Sequence, residues 1–224
     1  MPAQSGDVTG AWPASIAEAR AVQESLRGQV LVGEGRREVR TVAGVDVHVA
    51  PATGLTWAAI AVVELATLEL RGSALAAVPT GFPYVPGFLS FREIPAAIAA
   101  LRLLALPPDL LMVDGHGIAH PRRLGIAAHL GVLTGLPSIG VAKSRLVGRH
   151  DEPGAERGSR TVLSHKGETV GIVLRSRERA RPLYVSPGHL VSLEQAVELV
   201  EASLTGYRLP EPTRLADKLS RMHP

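Results

Sequence analysis

The sequence predicts an α/β fold in which helices flank a mixed β-sheet. The prediction rests on two features of the order of strand-like and helical segments along the chain. Three strand-like runs follow one another closely, at residues 41–49, 57–65 and 68–78, as in an antiparallel meander. After residue 95, helical and strand-like segments alternate, which indicates helices packed on a sheet that also contains parallel strands. The 224 residues contain no repeat or long linker, so we expect a single domain over residues 1–224.

Local patterns predict the elements of the first part of the chain. Residues 15–26 read as an amphipathic helix, because Ser15 and Glu18 have the spacing of a capping box and apolar side chains recur on one face. The run at 41–49 alternates between apolar and other residues, which indicates a half-buried strand. The run at 57–65 is continuously apolar, as in a central strand.

The middle of the chain combines a loop, a helix and a strand. Proline and glycine crowd residues 81–91, which predicts a loop. Residues 95–106 are apolar nearly all round, which suits a buried helix with Pro95 in its first turn. Residues 110–113 form a short buried strand that ends at Asp114.

The second half continues the alternation of helices and strands. Pro121 can open a helix that runs to about residue 134, and Ser192 with Gln195 forms a second capping box ahead of another helix. Apolar runs predict further strands at residues 137–142, 169–174 and 182–185. Residues 149–164 are polar and contain glycine, so we interpret them as a variable surface loop.

The composition excludes several classes of protein. The sequence is 46% hydrophobic and 20% charged, as in a globular protein. It contains no cysteine, which excludes disulfide scaffolds, thiolate zinc sites and cysteine nucleophiles. Charged side chains at helical spacing within the first thirty residues interrupt any signal peptide or membrane span. We therefore expect a cytoplasmic protein with no membrane partner and a flexible N-terminus at residues 1–14.

Asp46 is a carboxylate inside a valine-rich strand. It shares a strand face with Gly44 and His48, where a partly desolvated charge is costly unless it is paired or bound to a metal. The alternative is an edge strand whose polar face is exposed to solvent.

Asp114 ends an apolar strand and enters a turn formed by Gly115, His116 and Gly117. Ligands in open α/β sheets bind at the carboxyl ends of strands, and the glycines allow backbone to lie close to a ligand. The alternative is a structural aspartate that caps the turn.

Glu93 lies between the Pro/Gly-rich loop and the predicted buried helix. Its spacing from Ser90 fits a capping box, but a helix capped there would bring the ring of Pro95 against the carbonyl of Phe91. The carboxylate is therefore free for another role, with the cap as the alternative.

Three carboxylates from separate elements suit a hard divalent cation. Asp46, Asp114 and Glu93 are candidate ligands for Mg²⁺, with Mn²⁺ as a substitute, and such ions activate water for phosphodiester cleavage. Lys143 follows the strand at 137–142 and could support charge near that site, or could be an ordinary surface lysine. The histidines lack the zinc-hydrolase pattern, and the glycine turn lacks the lysine of a phosphate-binding loop.

Positive charge is concentrated in one segment. Residues 143–181 contain ten Lys or Arg against five Asp or Glu, although the whole chain has a net charge of only +3. Such clustering indicates a polyanion partner, or alternatively a solvated arginine-rich surface.

Several motifs resemble the signature blocks of the endonuclease V family. The longest are FPYVPGFLSFRE at 82–93, DGHGIAHPRRLG at 114–125 and IGVAKS at 139–144. Shorter ones are VAGVD at 42–46, SPGH at 186–189 and PEPTR at 210–214. The resemblance extends in order over about residues 15–219.

The resemblance implies a ribonuclease H-like sheet and Mg²⁺-dependent cleavage of nucleic acid that contains deaminated adenine, at the second phosphodiester on the 3′ side of the lesion. In the family pattern Asp46 and Asp114 fall on metal-binding aspartates and Glu93 on the third catalytic acid. Lys143 falls on the lysine near the scissile phosphate, and Asp217 on a further acidic or histidine ligand. His189 lies in a matching block, and we assign it no role.

The same resemblance makes Tyr84 the aromatic of a loop that enters the base stack. Prolines on either side of Tyr84 make the loop tip stiff, as a wedge between bases requires, although a packed structural loop is the alternative. An extruded hypoxanthine needs a snug pocket that reads its polar edge, and glycines let backbone groups approach it. The predicted substrate-binding residues are Tyr84, Pro86, Gly87, Leu89, Gly115, His120 and Gly125.

The predicted function is therefore a DNA-repair endonuclease that acts on DNA containing deaminated bases, as a monomer. Two alternatives stay open. One is an endoribonuclease with the same site that acts on inosine-containing RNA. The other is a non-catalytic nucleic-acid binder on the same fold, which would have no need for the three acids.

Overall fold

The computed structural model describes residues 12–33 and 38–222. Most of the predicted flexible N-terminus, residues 1–11, lies outside the described residues. Just after it, the indole of Trp12 packs 5.6 Å from the ring of Phe91, measured between ring centroids. Within the described ranges no helix is long and apolar enough to cross a membrane.

The described part of the chain forms one eight-stranded mixed sheet with five α-helices and a short 3-10 turn. The strands are β1 (Thr41–Ala50), β2 (Leu55–Glu64), β3 (Leu70–Pro79), β4 (Leu110–Val113), β5 (Ser138–Ala142), β6 (Arg160–His165), β7 (Glu168–Leu174) and β8 (Leu183–His189). The helices are α1 (Ile16–Leu26), α2 (Leu89–Leu101), α3 (Ile126–Thr134), α4 (Leu193–Ala202) and α5 (Glu211–Ser220), with the 3-10 turn at Arg27–Gln29.

The strand order across the sheet is β3-β2-β1-β4-β5-β8-β7-β6. The meander β1–β2–β3 is antiparallel, whereas β4 runs parallel to both β1 and β5. The remaining pairs are antiparallel. The carboxyl ends of β4 and β5 therefore point the same way as that of β1, which gathers the segments that follow them at one edge of the sheet.

Both faces of the sheet are covered by helices. On β4, Leu110 and Met112 belong to one core cluster with residues of α4, while Leu111 and Val113 belong to another with residues of α2 and α3. Alternate residues of a strand point to opposite faces, so the two clusters are the two faces of the sheet. Helix α5 lies against β1 on the α4 side, where the backbone of Pro212 approaches Gly44.

Helix α2 begins earlier than the sequence indicates. The expected loop at 81–91 ends at residue 88, and Pro95 lies inside the helix instead of in its first turn. A proline cannot bond the carbonyl four residues before it, which here is that of Phe91. The indole Nε1–H of Trp12 donates to this carbonyl over 2.6 Å, so a distant residue satisfies the group that the proline leaves free.

Two further expectations about elements are corrected, and one helix was missed. Helix α3 begins at Ile126 instead of at Pro121, because residues 117–125 form a compact turn in which the Gly125 amide donates to the Gly117 carbonyl over 2.9 Å. The supposed loop at 149–164 contains most of β6, a largely exposed strand with only Leu163 buried. Helix α5 was not predicted at all, although its amphipathic pattern is present.

The close packing of α5 on β1 gives a test of this architecture. A Cβ on Gly44 would lie 2.0 Å from the carbonyl oxygen of Pro212, whereas a Cβ on Gly72 in β3 would meet nothing within 4 Å. Gly44→Ala should lower the free energy of unfolding by about 1–3 kcal/mol, the usual cost of overpacking. Gly72→Ala should leave it unchanged or slightly higher, since glycine in a strand costs entropy. Equal urea midpoints for Gly44→Ala and wild type would contradict the packing described here.

Candidate active site

Three aspartates meet at the edge of the sheet where β1 and β4 lie side by side. Val45 pairs with Val113, and the Asp114 amide donates to the Val45 carbonyl over 2.9 Å, so the register brings Asp46 beside Asp114. Helix α5, which packs on β1, contributes Asp217 as the third aspartate. One carboxylate oxygen from each of the three lies within 4.8 Å of the others, close enough to hold one metal ion.

Asp46 is the most buried of the three, with 8% of its surface exposed. Its Oδ2 accepts a hydrogen bond from the Ser220 hydroxyl on α5, over 2.6 Å. The pKa of Asp46 is raised to about 7, chiefly by burial. The Ser220 hydrogen bond acts in the opposite direction, and the nearby charge of Asp114 contributes to the rise.

Lys143 lies between two of the aspartates. Its Nζ is 2.5 Å from Asp114 Oδ2 and 3.1 Å from Asp217 Oδ1. Burial alone would lower the pKa of Lys143, but the two carboxylates raise it above its ordinary value. Burial alone would raise the pKa of Asp217, but Lys143 and Arg221 lower it. The lysine is therefore a fixed positive charge inside the acidic group.

Glu93 is not a member of the group of three oxygens, although the sequence reasoning included it as a ligand. It lies on α2, which covers the opposite face from α5. Burial, together with the charges of Asp114 and Asp46, raises the pKa of Glu93 to about 8, so the carboxyl interacts electrostatically with the acidic group. Asp217, which only the family resemblance indicated, takes the third position.

A pocket of about 230 Å³ opens beside the acidic group. All seven residues that the sequence suggested for substrate binding line it together. The other seven lining residues were not predicted to bind substrate; they are Ser90, His116, Leu124, Ile126, Ser144, Arg145 and Leu146. Three of these follow Lys143 directly after β5, and their position beside that lysine was the available signal.

The rim of the pocket carries a tight turn that exposes Tyr84. The Phe88 amide donates to the Val85 carbonyl over 2.9 Å, and Gly87 has φ +80°, a conformation that favours glycine. Tyr84 is 67% exposed, although it is a large aromatic residue. We call the segment 83–88 the rim turn.

Two histidines of the pocket are neutral at pH 7. Burial lowers the pKa of His116 to about 4 and that of His120 to about 3, with the cation of Arg122 adding to the shift at His120. His189, which has no predicted role, lies elsewhere on β8, and its Nδ1 accepts from the Leu31 amide over 3.3 Å.

Comparison with known proteins identifies the family. A family model described as Endonuclease V matches residues 24–218. The chain belongs to the endonuclease V family. A curated endonuclease V from Rippkaea orientalis (strain PCC 8801 / RF-1) is 55% identical over 208 residues, which are 93% of this chain and 91% of that protein.

Solved endonuclease V structures share the fold. The crystal structure of the protein from Streptomyces avermitilis has a TM-score of 0.90 and 47% identity, and the match covers 95% of this chain and 94% of that one. The Ciona intestinalis endonuclease V, in complex with a 24mer DNA containing an inosine followed by a ribo-adenosine, has a TM-score of 0.80 and 30% identity, covering 92% and 96%. The predicted ribonuclease H-like mixed sheet and the prediction of a nuclease are confirmed.

The basic segment of this endonuclease has two parts with different roles. Arg175 is buried, and its guanidinium donates to the carbonyls of Pro153 and Gly154 and pairs with Glu152 at 2.7 Å, so it stabilises a loop. Arg145 and Arg149 are exposed instead. Arg145 lines the pocket and also a second, neighbouring concavity. Arg149 lines this second concavity and a third one beside the turn between β6 and β7. These two arginines extend positive charge away from the pocket.

The raised pKa values of Asp46 and Glu93 predict a pH-dependent stability in the metal-free enzyme. Their pKa values are about 7 and about 8 in the folded state, above the ordinary values of 3.8 and 4.5. Between about pH 4 and pH 8 the folded chain therefore retains protons that the unfolded chain has released, and this contribution to stability is lost as pH rises.

Asp46→Asn and Glu93→Gln should thus gain stability relative to wild type as pH rises through that window. Comparison with wild type removes the opposing contribution of the buried histidines, whose pKa values are lowered. Urea unfolding at a series of pH values measures the difference, and Glu24→Gln, an exposed change on α1, is the control. A difference that does not vary with pH would contradict the raised pKa values.

Proposed function

We propose that this enzyme is a Mg²⁺-dependent endonuclease of DNA repair that cleaves DNA containing a deaminated purine, with hypoxanthine as the main lesion. The observation that carries the proposal is the juxtaposition of three carboxylates with a base-sized pocket under an exposed aromatic turn. The Ciona relative, bound to inosine-containing DNA, supports the choice of lesion.

The donor set fits a hard divalent cation. Three carboxylate oxygens from Asp46, Asp114 and Asp217 are the ligand type that Mg²⁺ and Mn²⁺ prefer, and they lie within 4.8 Å of one another. A cation held there supplies an activated water and stabilises the leaving oxygen of the phosphodiester. Opposite charge lowers the pKa of a carboxyl, so Asp46 and Glu93 would ionise when the site is loaded.

Lys143 and Glu93 act around this group in the proposal. The Lys143 ammonium, held 2.5 Å from Asp114, can stabilise negative charge on a phosphate that enters the site. Glu93 adds negative charge from the side of α2 and strengthens attraction for the cation. Cleavage at the second phosphodiester 3′ to the lesion follows from the family resemblance and belongs to the proposal.

Recognition of the base is assigned to the pocket and its rim. The flipped hypoxanthine would be read by backbone groups at Gly87, Leu89, Gly115 and Gly125, with Pro86 and His120 completing the wall. Tyr84, exposed on the rim turn, would fill the gap that the base leaves in the stack.

RNA containing inosine is the second candidate substrate. The ribo-adenosine that follows inosine in the Ciona complex favours it, because a ribonucleotide is accommodated at that position in a relative. Incubation with matched DNA and RNA oligonucleotides that carry one hypoxanthine, with and without Mg²⁺, compares the two. A single domain, a monomeric state and a cytoplasmic location stay predictions.

Removing one carboxylate charge should separate cleavage from binding. Asp46→Asn or Asp114→Asn should reduce cleavage of an inosine duplex by at least a hundredfold, while affinity for that duplex stays within a few-fold, because the pocket is built from other residues. Glu69→Gln, which removes one carboxylate charge from an exposed position between β2 and β3, is the control. Near-normal turnover in either active-site variant at any Mg²⁺ concentration would remove the proposed metal centre.

The two exposed arginines beside the pocket should contact phosphates. Arg145→Gln with Arg149→Gln should weaken binding of inosine-containing and undamaged duplex alike, and should lower the salt slope by about 1 for each lost contact. The matched control, Arg27→Gln with Arg102→Gln, removes the same charge from exposed positions on other elements. Fluorescence titration at several salt concentrations gives the slopes. If both double variants have the wild-type slope, the nucleic acid follows another surface.

A further inference from the structure

The carbonyl of Gly87 in the rim turn is held by three side chains at once. Gln23 Nε2 donates to it over 3.0 Å and Arg122 Nη2 over 2.7 Å, and His120 Nε2 lies 3.1 Å away. A carbonyl oxygen has two lone pairs, so three partners are more than are needed to satisfy its hydrogen-bonding capacity. The convergence fixes the position of this one peptide group.

Gln23 and Arg122 also bind each other. The Arg122 Nε–H donates to Gln23 Oε1, so the two side chains and the Gly87 carbonyl form a closed ring of hydrogen bonds. Gln23 is fully buried on α1, and the Arg122 guanidinium lies 4.3 Å from the ring centroid of Phe88, the last residue of the rim turn. We call Gln23 and Arg122 the turn clamp.

The turn clamp connects the rim turn to two separate parts of the fold. Gln23 belongs to α1, outside the sheet, and Arg122 belongs to the compact turn that follows Asp114. Neither is among the residues that line the pocket, so neither is placed to touch the base. A Cβ on Gly87 would come within 3.1 Å of Arg122 Nη2, so the clamp and the glycine fit each other closely.

We propose that Gln23 and Arg122 are positioning residues that promote cleavage of duplex substrates by holding the rim turn, and with it Tyr84, in one place. This rests on the proposed function. A side chain can separate stacked nucleobases only if the loop that carries it is rigid, because unstacking a nucleotide from a duplex costs a few kcal/mol. An inosine in single-stranded DNA needs no such separation. The clamp therefore matters for duplex substrates and much less for single strands.

Gln23→Glu tests the clamp with almost no change of shape. The carboxylate keeps an acceptor for Arg122 but has no N–H for Gly87, so one hydrogen bond of the rim turn is lost and a carboxylate oxygen faces the Gly87 carbonyl in its place. We expect faster hydrogen exchange of the Phe88 amide, which closes the turn, and about a tenfold fall in kcat/KM on an inosine duplex, as for the loss of one buried hydrogen bond. On single-stranded inosine DNA, kcat/KM should stay within about twofold. Gln29→Glu, on the exposed 3-10 turn, is the matched control.

A double variant tests whether the effect passes through Tyr84. If the clamp acts by positioning Tyr84, Gln23→Glu should add little to the loss on duplex DNA once Tyr84→Ala is present. Equal losses on duplex and single strand, or fully additive effects, would overturn the proposal and indicate a general structural role. A wild type that cleaves inosine and undamaged DNA alike would refute the proposed function and, with it, the role of the clamp on lesion-containing duplexes. The exchange of the Phe88 amide, which needs no substrate, would still measure whether Gln23 holds the turn.

Discussion

The electrostatic cost of gathering carboxylates on a partly buried sheet face governs the candidate active site. Asp46 and Asp114 are side by side because β1 and β4 are parallel neighbours, and like charges this close disfavour ionisation of both. The fold offsets that cost with Lys143 and with the Ser220 hydroxyl, and the remaining cost raises the pKa of Asp46 to about 7, which favours retention of a proton. A divalent cation would replace the proton, so the repulsion that disfavours three ionised carboxylates by themselves favours binding of a metal ion.

Local patterns predicted those elements whose determinants are close together in the sequence. The bounds of β4 were predicted to the residue, because four apolar residues end at an aspartate. Both predicted N-caps are confirmed, with the Ser15 hydroxyl accepting from the Glu18 amide and the Ser192 hydroxyl from that of Gln195. The predicted start of α2 was wrong because the Phe91 carbonyl, which Pro95 leaves without a helical partner, is bonded by Trp12, 79 residues earlier in the sequence. Strand β6 was missed because a largely exposed edge strand has the polar composition of a loop.

The site was predictable to the extent that its residues break the pattern around them. Asp46 and Asp114 are charges in apolar strands, and that contrast is visible in the sequence. Asp217 lies on a polar helix face, where an aspartate is unremarkable, so only the family resemblance indicated it. Gln23 and Arg122 were missed for a related reason, since their significance comes from contacts with Gly87 that no spacing along the chain encodes.

The position of α5 in the chain has a consequence for how the enzyme is made. The carboxylate group needs Asp217 as well as Asp46, and the Ser220–Asp46 hydrogen bond joins residues 174 positions apart. A chain leaving the ribosome at about 5–20 residues per second presents its N-terminal strands well before this last helix. The sheet can therefore form while the acidic group is incomplete. Nascent chains would carry the scaffold before the acidic group is complete, and that group would be complete only after α5 has emerged and packed on β1.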